Sequence, residues 1–122
     1  MKFLALILVA SVLTGCATKP TPDSLRTSAP EGVFTSDKSP SSLAECILSK
    51  WENTPVLMGS RMVASQRQVG DGYQLLLGDS DRLRYLADLT RTNFGSKTKV
   101  YVDSMVFSAG QNPMVAAVAN CQ

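Results

Sequence analysis

Apolar residues fall along this chain in contrasting patterns, and each pattern predicts a different kind of element. Met1-Lys2 precedes an apolar run from Phe3 to Leu13 that only Ser11 interrupts. The run is too short for the roughly 20 residues of a membrane-spanning helix. A charged start, an apolar stretch and the small Thr14-Gly15 pair have the layout of a signal peptide, expected over residues 1–15. From Ala17 to Pro40 neither a helical nor a strand period is visible, and four of the six prolines lie there. Proline removes backbone donors and biases its neighbours toward extended conformations. Residues 16–40 are therefore expected to form a disordered tether, with a full extension of about 75 Å.

Periodicity returns at Ser41. Leu43, Cys46, Ile47 and Trp51 share one face at helical spacing, and Ser42 with Glu45 has the form of a capping box. This predicts a helix over Ser41–Asn53 with Cys46 and Trp51 turned to the core. After Thr54-Pro55 a two-residue period predicts a strand over Val56–Ser65, and Gly70-Asp71-Gly72 is turn chemistry. Tyr73–Leu77 reads as a second strand, ended by Gly78-Asp79-Ser80-Asp81. Arg82–Thr92 is ambiguous: Leu83, Leu86 and Leu89 suit a helix, but alternation matches more positions, and strand is the reading adopted. Asn93-Phe94-Gly95-Ser96 then serves as a hairpin loop into an alternating strand over Lys99–Phe107. Asn112-Pro113 has the form of an N-cap with proline at the first helical position, and Met114, Val118 and Cys121 form a stripe, so a short helix closes the chain. The sum is a small α+β domain over residues 41–122: helix, four-stranded antiparallel meander, helix, with the helices on one face of the sheet.

Composition narrows the chemistry. Histidine is absent, which removes Ser-His-Asp and Cys-His nucleophiles and histidine-ligated metals. A formal charge of +2, from 12 basic and 10 acidic residues, gives no basic excess for a nucleic-acid partner. Phosphate-cradling glycine loops, Cys-x-x-Cys and zinc-protease motifs are missing from the sequence. Asp79-Ser80-Asp81 begins like a calcium loop, but Arg82 and Leu83 follow and no glutamate stands at the twelfth position, so it reads as a turn. Asp88 and Asp103 can be drawn as a dyad across the hairpin; with Arg84, Lys97 and Lys99 they read more simply as the polar face of a half-exposed sheet. Met58, Met62, Met105 and Met114 read as core filling rather than a soft metal site. Tyr73, Tyr85 and Tyr101, if gathered on the sheet, would offer a stacking surface for a partner peptide or a sugar. No catalytic residue, metal or cofactor is expected.

Leu13-Thr14-Gly15-Cys16 resembles the lipobox of bacterial lipoproteins. The resemblance implies that the Cys16 sulfur receives a diacylglyceryl group, that cleavage precedes Cys16, and that the new amino terminus is acylated. Each buried CH2 contributes about 0.8 kcal/mol, so two or more acyl chains hold a protein to a bilayer. Ala17 in place of aspartate after the cysteine implies sorting to the outer membrane of a Gram-negative cell. Of three cysteines, acylating Cys16 leaves Cys46 and Cys121 as the pair expected to bond. The resemblance covers only the leader and lipobox. An anchor, a tether and a small stapled domain point to a non-catalytic module that docks on an envelope protein. The alternative is a small-ligand or cell-wall-binding sensor that uses the tyrosines.

Overall fold

The computed structural model describes residues 19–54, 62–79, 82–106 and 111–122. The leader, Cys16 and Met58 lie outside the described residues, as do parts of the strands expected at 56–65 and 99–107.

The first elements lie where a tether was expected. Thr21-Pro22 starts a single turn, α1 (Pro22–Leu25): Thr21 Oγ1 accepts the Ser24 N–H at 3.1 Å and Ser24 Oγ accepts the Thr21 N–H at 2.7 Å. β1 (Gly32–Ser36) follows and joins the sheet. Ser39 then caps α2 (Pro40–Asn53), its Oγ accepting the Ser42 N–H at 3.3 Å. The helix thus starts before the Ser42 expected as its cap, because Pro40 fits the first helical position, where the missing N–H would have no partner.

The remaining strands are β2 (Val63–Val69), β3 (Gly72–Gly78), β4 (Leu83–Thr92) and β5 (Gly95–Val102), and α3 (Pro113–Cys121) closes the fold. The α+β class and the antiparallel meander stand, but the sheet has five strands in the order β1-β5-β4-β3-β2. The fifth is β1, whose two apolar residues, Val33 and Phe34, are too few to show a period. Residues 82–92 follow the strand reading, and the loop after β4 tightens to Asn93-Phe94, since Thr92 pairs with Gly95. Gly70, at φ +57, makes the β2–β3 turn. Gly72 must lack a side chain, because a Cβ there would lie 2.0 Å from the Leu89 carbonyl oxygen.

Strand alternation divides the sheet into two faces. Leu75, Leu77, Tyr85, Ala87, Leu89 and Val100 meet Leu43, Ile47 and Trp51 of α2 and Met114 and Val118 of α3 in the main core. The α2 and α3 stripes lie on one face, as expected. The opposite face carries Leu86 and Tyr101, and α1 covers them by inserting Leu25. A register shift between Leu77 and Gly78 in the β3–β4 ladder turns Leu83 toward this second cluster.

Cys46 on α2 and Cys121 on α3 form the expected disulfide, with Cα atoms 5.9 Å apart and a sequence separation of 75. Trp51 Nε1–H donates to the Met114 carbonyl at 3.0 Å and ties the same two helices together a second time.

Candidate functional site

The three tyrosines do not gather. Register pairs Tyr85 with Val102 and Tyr101 with Leu86, which sends their side chains to opposite faces. Tyr85 is 5% exposed; it packs against Trp51 at 6.3 Å between ring centroids, and its hydroxyl accepts Asn112 Nδ2–H at 3.1 Å. Tyr101 is buried beneath Leu25. Tyr73 borders a groove of about 440 Å³ between α2 and the β2 side of the sheet, lined also by Glu45, Glu52 and Gln66.

The carboxylates are likewise separated. Asp88 pairs across the ladder with Lys99, and the Arg26 guanidinium grips it in a fork: Nε–H and Nη2–H each donate to one oxygen at 2.7 Å. This bidentate contact pushes the Arg26 pKa further above the ordinary arginine value. Arg26 also donates to Asp23 at 2.9 Å. Asp103 lies beyond the end of β5, where Arg82 donates to both of its oxygens and Arg84 stands at 3.9 Å. The hydrogen bond to Asp103 raises the Arg82 pKa as well. Asp79 accepts the Arg82 backbone N–H at 2.8 Å and the Arg84 guanidinium at 3.1 Å.

Asp79, Arg82, Arg84 and Asp103 thus form one ion-pair cluster. Asp103 is 5% exposed and borders two clefts. One, of about 390 Å³, is lined with Glu31, Gln111, Asn112 and Val115; the other, of about 250 Å³, lies against Lys19, Pro20 and Ser28. Both carboxylates here are held by guanidinium groups, so the cluster presents balanced charge and hydrogen-bonding groups beside the clefts. Among the described residues no three His, Cys, Asp or Glu side chains converge as a metal-binding group. Of the methionines, Met114 is buried and Met62 packs on the main core, whereas Met105 is 67% exposed.

Sequence reasoning missed the Leu25–Arg26 clamp and the Arg82–Asp103 pair. The second joins residues 21 apart in sequence and the Arg26–Asp88 pair residues 62 apart, so neither has a local pattern. The one available signal was Thr21-Pro22-Asp23, an N-cap with proline and an acid in the first turn.

Comparison with known proteins returns no matching family model, no matching curated protein and no matching solved structure.

Proposed function

We propose that this chain is a lipid-anchored lipoprotein of the cell envelope, held through acylated Cys16 and acting as a non-catalytic module that binds an envelope protein. One observation carries this reading. Cys46 and Cys121 are bonded to each other, so the third cysteine of the sequence, Cys16 at the lipobox position, stands outside that bond. In an oxidising compartment an unmodified leftover thiol is a liability, and acylation removes it. The separation of Asp88 from Asp103, and the guanidinium groups on both, support binding over catalysis. The Ala17 position favours the outer membrane as the site of residence.

The module would meet its partner through the exposed clefts bordered by Asp103 or the groove beside Tyr73, not through a three-tyrosine platform. Cys16→Ser tests the anchor. Cells fed an alkyne fatty acid should label the native chain and not the variant, and the variant should leave the membrane fraction. Label retained by Cys16→Ser, or unchanged membrane retention after detergent-free washing, overturns the assignment.

A further inference from the structure

One of the two edge strands of the sheet, β2, has one side paired to β3 and no strand on its other side among the described residues. Its seven residues carry no proline or lysine, and Arg67 is the single charge that blunts this edge. Val63 and Val69 are 69% and 56% exposed. We propose that β2 is an association edge for a second copy of this chain, the two β2 strands pairing antiparallel about Gln66 into one sheet that runs through both molecules.

The main chain selects that register. The two-residue turn Gly70-Asp71 closes on the Val69–Gly72 pair, and such a turn is flanked by a hydrogen-bonded pair. Antiparallel ladders alternate from there, so Val63, Ser65, Arg67 and Val69 direct their N–H and C=O groups toward β3. Ala64, Gln66 and Gln68 direct theirs to the free side. Pairing centred on Gln66 sets Gln66 against itself and Ala64 against Gln68 of the second copy, making about six main-chain hydrogen bonds with no outward group of these three residues left over.

The side chains fit the same axis. The strand reads Val-Ala-Ser-Gln-Arg-Gln-Val, with a valine at each end, and the pairing lays Val63 on Val69 of the second copy at both ends. Ser65 then stands opposite Arg67 of the second copy in the closer, non-hydrogen-bonded kind of pair, so no like charges are opposed along the strands. Glu45 and Glu52 border the groove beside β2, so each copy brings acidic groups to the same face of the joined sheet, and their mutual repulsion weakens the contact and favours reversibility. The pairing does not depend on the lipid anchor.

Ser65 gives a test with two signs. Sedimentation of the full chain, in detergent with micelles in excess over protein, should show a reversible monomer–dimer equilibrium. Ser65→Arg places like charges opposite each other twice per dimer and should raise the dissociation constant roughly three- to thirty-fold; Ser65→Glu places a carboxylate opposite Arg67 twice and should lower it by a similar factor. Both changes are at an exposed position, and matching circular dichroism spectra and melting temperatures would show that the monomer is intact. A chain that stays monomeric up to millimolar concentration overturns the proposal. Association that ignores both substitutions, or moves in the same direction with both, overturns it equally, since it would then run through another surface or register.

Discussion

Trp51 shows how much one residue does here. Its indole is 2% exposed, packs at a tilt against Tyr85 and donates to the Met114 carbonyl, so it packs α2 onto the sheet and onto α3 at once. Trp51→Phe keeps an aromatic ring facing Tyr85 but deletes the N–H and part of the volume. A lost hydrogen bond and a small cavity together should cost about 1–3 kcal/mol, read as a lower urea midpoint at unchanged slope by circular dichroism. An unchanged midpoint would mean that the hydrogen bond and ring volume contribute nothing net. Asp103 is the polar counterpart: a carboxylate 5% exposed is tolerated at the end of the sheet because Arg82 and Arg84 supply the hydrogen bonds and charge that water would otherwise provide.

A four-residue helix is far too short to hold itself together, so α1 exists only because the sheet accepts it. Leu25 over Tyr101 and Leu86 supplies the apolar contact, and the Arg26 fork on Asp88 fixes the orientation. Leu25→Ala should therefore free the N-terminal segment without unfolding the rest. The lost burial corresponds to about 1.5–3 kcal/mol of local opening, so tryptic cleavage after Arg26 should accelerate by roughly ten-fold or more while the thermal transition of the sheet moves little. Cleavage at the native rate would show that Leu25 does not hold the segment. This clamp also marks the boundary of what the residue pattern revealed. α2, α3, the turns at Gly70-Asp71 and Asn93-Phe94 and the strands between them are written in local periods and caps, and they were legible. β1 offers two apolar residues in five, and its place in the sheet comes from pairing with residues 60 to 68 positions later, from Ser36 with Ser96 to Gly32 with Val100. The tyrosines failed as a platform for a related reason: whether two residues share a face depends on the pairing register, and the β4–β5 register puts Tyr85 and Tyr101 apart. The disulfide was legible because the lipobox resemblance sets Cys16 aside and leaves two cysteines to pair, an inference that needs no geometry.

At the scale of the whole molecule, the disulfide and the folded N-terminal segment decide how the domain stands. The bridge links α2 to α3 across 75 residues, and replacing both Cys46 and Cys121 with alanine should cost about 2–5 kcal/mol, lowering the melting temperature by roughly 10 °C or more. A loss of under about 1 kcal/mol would show that the core alone sustains the fold. The N-terminal segment has a consequence for the proposed anchor. With residues from Lys19 onward lying against the domain, Cys16 is only three positions from a residue that borders the Arg82–Asp103 end, a reach of about 10 Å at full extension in place of the 75 Å of a free tether. The Arg82–Ser104 end should then face the bilayer. The β4–β5 hairpin tip, where Phe94 is 89% exposed, should point away by the length of β5, roughly 25 Å. Fluorophores attached at Ser104 and at Asn93 of the membrane-bound chain check this with lipid-headgroup quenchers. Quenching should be strong at Ser104 and weak at Asn93, and Leu25→Ala, by releasing the segment, should reduce the difference. Equal quenching at the two sites in the native chain would mean that the domain does not stand on this end, whatever holds it to the membrane.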